Sequence, residues 1–478
     1  MRPLFFLLLL FAAPFQLSAQ GSDDVDQPTS EEYYKIFNRL RKKLTPLGYN
    51  VGRARNAAYL TDQYVLSYEG SNSATDMQQD IQRLKRAYGN KNVTQLASCG
   101  CGERQITAVH VKGIGGEERG KRGQEAIAST LGKEEVEPNY YLNPDRQHII
   151  PQPKISGGLP PNFNVLVSGK TAAPVDIAVL DSGMDYIYQE ANHPQGGARL
   201  FLWENPAPNS SKDPFCFDDD LIGWDFVNND NSPFDDHSHG THITSRIAIQ
   251  LTTYAPDVNY RFMPLKILDE NGVGNSFNAA CAVLYAAENG ADVINASWGF
   301  YGEDDKILRK AFEFAESKNV VTIGSAGNER IDLAELSHYP SSYALEGNVN
   351  ERLNSHLFIS AARTPSNVWP YSNIRLEAAT SGNLGGFVIA SGGGNYGYIP
   401  VHLAPPTGSV SFTKRGTSVA APYAAALAAH HRHRHPASNG VWTRNAVLEA
   451  IMTQGLQGSI NSNGTSYPFF FFNWVNVP

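Results

Sequence analysis

From residue 175 onward the chain alternates short, mostly apolar runs with helix-like patterns, and few folds accept that alternation. The runs at 175–180, 262–268, 292–296, 320–323 and 357–361 have the length and composition of strands buried on both faces. Between them, 276–288 and 305–318 read as helices, the second with Ile307, Leu308, Ala311, Phe314 and Ala315 at helical spacing. Strands and helices in alternation predict an α/β fold, a parallel sheet flanked by helices. In such sheets, sites form at the carboxyl ends of the strands.

A smaller pattern precedes this one. Residues 31–47 read as a helix with Tyr34, Phe37, Leu40 and Leu44 on one face. A strand at 63–68, a helix at 75–88, a strand at 106–111, a helix at 124–131 and an extended piece at 136–142 follow. That order predicts a compact α+β unit of ferredoxin-like type, a split βαβ sheet with two helices. The expected divisions are a signal peptide at 1–19, a polar and helical leader at 20–60, the α+β unit at 61–145, a Pro- and Gly-rich linker at 146–173 and the α/β domain at 174–478. The signal reading rests on Arg2, the apolar run 4–13 and the small residues Ser18 and Ala19. A secreted or periplasmic location is expected, with no membrane contact once the signal is removed.

The formal net charge of −8 argues against a nucleic-acid partner, which would call for a basic face. Export makes the four cysteines eligible for disulfides. A bridge between Cys99 and Cys101 would be strained. Cys216 and Cys281 could pair with each other, or the thiols could stay free and buried. A Cys-x-Cys metal site would need further ligands, which the neighbouring sequence does not offer.

Three segments carry chemistry together. Asp181 ends an apolar strand in Asp-Ser-Gly, His239 lies in Asp-Asp-His-Ser-His-Gly-Thr-His (235–242), and Ser418 opens a helix in Arg-Gly-Thr-Ser-Val-Ala-Ala-Pro (415–422). A serine hydroxyl becomes a nucleophile when an imidazole takes its proton, and the imidazole needs a carboxylate on its other nitrogen. Each segment alone has an ordinary reading as a turn, a partial metal site or a helix cap. All three in order at strand and helix ends favour catalysis.

These motifs resemble the three signatures of the subtilisin-like (subtilase) family, and the order Asp, His, Ser is that of subtilisin. The resemblance covers roughly residues 160–458. It implies Asp181, His239 and Ser418 as catalytic residues, with His242 a supporting core residue, and a serine endopeptidase working through an acyl-enzyme. It also implies Asn328, at the end of Val-Val-Thr-Ile-Gly-Ser-Ala-Gly-Asn (320–328), as the oxyanion donor, assisted by the Ser418 N–H. Ser297, Trp298 and Gly299 resemble one edge of the substrate groove, and Gly272, Val273 and Gly274 the other. A peptide would add between them as a strand. Trp298 and Glu329 are expected to border the pocket for the residue before the scissile bond. The segment Val-Glu-Pro-Asn-Tyr-Tyr (136–141) resembles the end of an inhibitor-type propeptide, implying a self-processing zymogen cut between Tyr141 and about Pro160.

Other signals are weaker. Asp225, Asn228, Asp230 and Ser232 resemble a calcium-binding stretch of some relatives; a structural Ca²⁺ is weighed there against a solvated polar loop, and no cofactor is required. The run Ile243-Thr-Ser-Arg246 departs from the small residue and Gly usual after this histidine, and the Gly-rich stretch before Gly416 lacks the family's Ala-Pro-Gly at a clear position unless Ala404-Pro-Pro406 replaces it. The histidines of 430–435 suit the negative end of a helix better than a metal. The expected partners are extended protein or peptide substrates and the chain's own propeptide, on a monomer. A catalytically silent peptide-binding protein of the same fold and a serine esterase are the alternatives; the full residue set argues against the first, and the lack of Gly-x-Ser-x-Gly against an α/β-hydrolase esterase.

Overall fold

The structure is a computed structural model that describes residues 31–142 and 163–435 apart from internal stretches, the longest being 187–197, 376–386 and 398–411. Leu159, Pro436, 456–462 and 465–472 are also described. The signal segment, residues 143–158 of the linker and Ala404-Pro-Pro406 lie outside the described residues.

The N-terminal unit runs α1 (Glu31–Leu44), β1 (Val51–Ala54), β2 (Ala57–Glu69), α2 (Ser73–Tyr88), β3 (Val93–Cys99), β4 (Arg104–Val111), α3 (Gly120–Leu131) and β5 (Val136–Leu142). Its antiparallel sheet has the order β3-β4-β2-β5, with β1 paired to β2. Sequence periodicity misses β1 and β3, because β1 carries Gly and Arg and β3 is buried only at its two ends, with no apolar face between them. One face of the sheet is closed by Met77, Ile81 and Leu84 of α2 and by Ile127 and Leu131 of α3. The opposite face, through Tyr59, Val65, Ile106, Ala108 and Tyr140, shares a core with the larger domain. Both faces are covered, so all seven residues of β5 are buried.

In the larger domain the elements that place the site are β6 (Val175–Asp181), α4 (His239–Tyr254), β7 (Tyr260–Lys266), β8 (Gly274–Asn275), α5 (Ser276–Glu288), β9 (Val293–Ala296), α6 (Lys306–Ser317), β10 (Val321–Ser325), β11 (His356–Thr364), β12 (Phe387–Ser391) and α7 (Thr417–Arg434). Six parallel strands lie in the order β7-β6-β9-β10-β11-β12. The antiparallel hairpin of β13 (Leu456–Ser462) and β14 (Thr465–Phe472) joins the sheet through β14 and β12. The strand order reverses at β6, the condition for a crevice at the carboxyl ends. Asp181 is the last residue of β6. Helix α4 has no counterpart in the sequence reading because it is buried nearly all round and shows no polar stripe.

Cys281 takes neither of its two expected states, a bond to Cys216 or a free thiol; Cys216 itself lies outside the described residues. Cys281, in α5, bonds to Cys99 at the end of β3, with Cα atoms 6.0 Å apart. The sheet of the N-terminal unit packs on α5, which brings these two residues together across the interface. The bond spans 182 residues, and closing a loop of that length in the unfolded chain is worth about 5 kcal/mol.

Candidate active site

His239 is the first residue of α4, and its Nδ1 lies 2.7 and 2.9 Å from the two carboxylate oxygens of Asp181. Both residues are fully buried. The backbone explains the glycines of the two motifs. A Cβ on Gly240 would stand 2.0 Å from the Gly183 carbonyl oxygen, and one on Gly183, at φ +104°, would meet Pro233 and Phe234 backbone at 2.6–2.8 Å. The strand end therefore touches the first helical turn, which sets the Asp181–His239 distance. His239 Nε2 is buried and has no hydrogen-bond partner among the described residues. That lone pair is available to a serine hydroxyl.

Two carboxylates unnoticed in the sequence hold this junction. Asp235 accepts from Ser182 Oγ (2.8 Å), from the His237 and Ser238 N–H groups (3.0 and 2.8 Å) and from the Thr241 N–H (2.8 Å), so it caps α4 from four positions ahead of the helix. Ser182 Oγ in turn accepts from the Gly240 N–H at 2.9 Å. Asp236 accepts from Lys266 Nζ at 2.6 Å, and the same ammonium donates to the carbonyls of Ser182 (2.8 Å) and Leu268 (2.9 Å). Burial alone would lower the Lys266 pKa, but Asp236 and Asp225 outweigh it and hold it above the usual lysine value. The lone clue in the sequence is a lysine following the apolar run Phe262–Leu265.

His237 and His242 are pushed well below the ordinary histidine range, first by burial and then by the charge of Lys414. They stay neutral, and neither is paired with Asp181. Lys414, itself lowered to about 8 by burial, donates to the Ser238 carbonyl at 3.2 Å. Arg246, part of the departure from the family pattern, lies buried between α4 and α7, where its guanidinium donates to the Tyr423 hydroxyl at 2.5 Å. The unusual arginine thus ties the helix of His239 to the helix of Ser418.

Ser418 is the second residue of α7 and 1% exposed. Its carbonyl accepts from Ser297 Oγ at 2.9 Å, which anchors the helix start on the end of β9. Asn328 follows β10, and its Oδ1 accepts from the Thr417 N–H at 3.0 Å. That bond fixes the amide flip and leaves the Asn328 NH₂ as donor beside Gly416. Asn373 braces the same loop: its Oδ1 accepts from the Glu329 and Ile331 N–H groups (3.0 and 2.9 Å), and its Nδ2 donates to the Ala326 carbonyl (2.8 Å). Asn328→Ala is expected to lower kcat about 10²–10³-fold with little change in KM, measured on a short peptide substrate. A change confined to KM would remove the oxyanion role.

Of the groove residues, Ser297 and Gly299 flank the end of β9, and a Cβ on Gly299 would collide with His338 at 2.2 Å. Trp298 is fully buried in the core shared with α5 and α6, so its side chain packs inward. Glu329 accepts from the Tyr301 hydroxyl and from the Asn328 N–H (2.9 Å). On the other edge, Gly274 pairs with Leu142 of β5, and Val273 packs with Tyr141 and with Tyr33, Ile36 and Phe37 of α1. The N-terminal unit occupies this edge.

The oxygen-rich loop fits calcium poorly. Both oxygens of Asp225 accept N–H donors, Oδ1 from Val227 and Asn228 and Oδ2 from the Asn228 side chain, at 2.7–2.9 Å. Asp230 accepts from the Ser232 N–H, and Ser232 Oγ bonds the Tyr186 hydroxyl. Among the described residues no group of three or more His, Cys, Asp or Glu could hold a metal. No step below involves one.

The profile of the subtilase family (peptidase S8) matches residues 173–467. The chain is 31% identical over 179 residues to a thermophilic serine proteinase of Bacillus sp. (strain AK1), covering 36% of this chain and 37% of that protein. It is 31% identical over 211 residues to a cell wall-associated protease of Bacillus subtilis (strain 168), covering 43% of this chain and 20% of that one. The matched segments thus span about a fifth to a third of these relatives' length. The crystal structure of fervidolysin from Fervidobacterium pennivorans, a keratinolytic enzyme related to subtilisin, superposes with a TM-score of 0.55 at 19% identity, over 90% of this chain and 63% of that one, a likeness of fold. With the profile spanning more than half of its residues, the chain belongs to the subtilase family.

Proposed function

We propose that this chain is an exported serine endopeptidase made as a zymogen, whose N-terminal unit covers the substrate groove. The observation that carries the reading is His239, with Nδ1 on Asp181 and Nε2 open, on a helix packed against the one whose second residue is Ser418. A peptide adds as a strand between Gly272–Gly274 and Ser297–Gly299. His239 Nε2 takes the Ser418 proton as Oγ attacks the carbonyl carbon, and Asp181 holds the imidazolium. The Asn328 NH₂ and the Ser418 N–H receive the oxyanion. His239 then protonates the leaving amine, and water repeats the sequence to free the acyl group. The leader, the disulfide and the names of the relatives support an extracytoplasmic location.

The zymogen reading rests on how the N-terminal unit docks. Asn139 Oδ1 accepts from the Phe277 N–H in the first turn of α5, and Glu137 accepts from the Lys306 N–H that opens α6. Two side chains of β5 thus serve two helix starts of the larger domain. The direct test compares wild type with Ser418→Ala for precursor processing and casein cleavage. Cleavage and maturation by wild type alone support the reading; equal maturation of both variants assigns the cut to another protease.

Docking carries a pH dependence. Glu137 is held well above the ordinary carboxylate range by burial and then by Asp305, which burial itself raises to about 6. A raised carboxyl pKa contributes stability that is present below the unfolded value and is lost as pH rises through the folded one. The thermal midpoint of Ser418→Ala precursor is therefore expected to fall as pH rises from about 4 to 7. Adding Glu137→Gln should flatten that fall; an unchanged slope would contradict the assignment.

A further inference from the structure

The two units are joined covalently in two places. One is the peptide chain through residues 143–174; the other is the Cys99–Cys281 disulfide, which leads from the end of β3 into α5. A cut in the linker removes only the first. We infer that Cys99–Cys281 is a thiol-exchange lock, which keeps the cut N-terminal unit on the substrate groove until a small thiol opens it. The inference rests on the zymogen reading above and adds a second requirement for activation.

The unit so held blocks one groove edge. Strand β5 pairs with β8 through Tyr141–Asn275 and Leu142–Gly274. Beside it, α1 lays Tyr33, Ile36 and Phe37 against Val273, Tyr301 and Ile331, and the Tyr49 hydroxyl donates to Asp269. A tethered partner faces its site at an effective concentration of order mM. Dilution therefore does not remove it, whereas an untethered fragment would leave.

The lock has an approach. A cleft of about 360 Å³ at the interface is lined by Cys99, Gly100, Glu103, Arg104 and Leu284, whereas Cys281 is fully buried and does not line it. Of the two half-cystines only Cys99, itself 4% exposed, borders that cleft, so Cys99 is the sulfur assigned to the entering thiolate. It forms a mixed disulfide with Cys99 as the Cys99–Cys281 bond breaks, and Cys281 leaves as a thiolate that takes a proton from water. A second thiol attacks the mixed disulfide, giving the oxidised reagent and a free Cys99 thiol. Two thiols are oxidised and one protein disulfide is reduced.

The test uses the full chain with a site-specific protease sequence inserted between residues 150 and 158. In a Ser418→Ala background, the cut protein is expected to run as one species on a denaturing gel without thiol and as two with dithiothreitol. Cys99→Ser should give two species in either case. With Ser418 intact, peptide hydrolysis by the cut enzyme should stay low on dilution and rise at least about tenfold with dithiothreitol. The cut Cys99→Ser enzyme should need dilution alone. Fragments that part on the non-reducing gel, or a cut wild type fully active without thiol, would overturn the lock. Because wild type answers to thiol by itself, a misfolded Cys99→Ser would not remove the test. Should dithiothreitol separate the units on native gel filtration while no hydrolysis appears at any stage, the lock stands and the protease reading falls.

Discussion

Ser418→Ala is expected to lower kcat by about 10⁶-fold, and His239→Ala by a similar factor, with the double variant no worse than either. The reason is that the two residues perform one act. Without the imidazole the hydroxyl keeps its proton; without the hydroxyl the imidazole has nothing to activate. A residual rate of about 10³–10⁴ over water should remain, from Asn328 and substrate positioning. Both variants should fold. Ser418 keeps its backbone bond to Ser297 as alanine, and α4 keeps the Asp235 cap when His239 is shortened. The measurement is hydrolysis of a peptide substrate by enzyme freed of its N-terminal unit. Additive losses in the double variant would mean that the two residues act separately.

Lys266→Met should destabilise the fold by about 3–5 kcal/mol, the usual cost of leaving one member of a buried ion pair alone. Lys266 is 0% exposed and Asp236 1%, so water cannot replace the lost partner. The ammonium also satisfies the carbonyls of Ser182 and Leu268, which flank the catalytic strand end. Adding Asp236→Leu removes the orphaned charge and should recover much of the loss, though those two carbonyls stay unpaired. Denaturant unfolding in the Ser418→Ala background reads this without self-digestion. A cost below about 1 kcal/mol for the single variant would show that Asp236 is solvated in a way the burial denies.

The parts that were legible in the sequence are the local ones. Asp181, His239, Ser418 and Asn328 each sit in a short motif at an element end, where the fold itself dictates the neighbours. Strands β6, β9, β10 and β11 were legible because a strand covered on both faces must be apolar throughout. Asp235 and Lys266 were not, since their partners Ser182 and Asp236 stand 53 and 30 residues away. Helix α4 was missed for the opposite reason to the strands: complete burial erases the polar face that periodicity relies on. The Cys99–Cys281 bond depends on the docking of two units, which neither unit's sequence encodes by itself. Trp298, expected at the pocket by resemblance, is 0% exposed just beyond the end of β9, and its burial depends on the packing of α5 and α6, which the local motif does not carry.

The central claim is that Ser418 is a nucleophile activated by His239. It is tested most directly by treating the processed enzyme with a fluorophosphonate and mapping the adduct by mass spectrometry. One adduct per chain is expected, on the peptide that contains Ser418, absent in Ser418→Ala and greatly slowed in His239→Ala. No adduct, or an adduct on another residue, would contradict it.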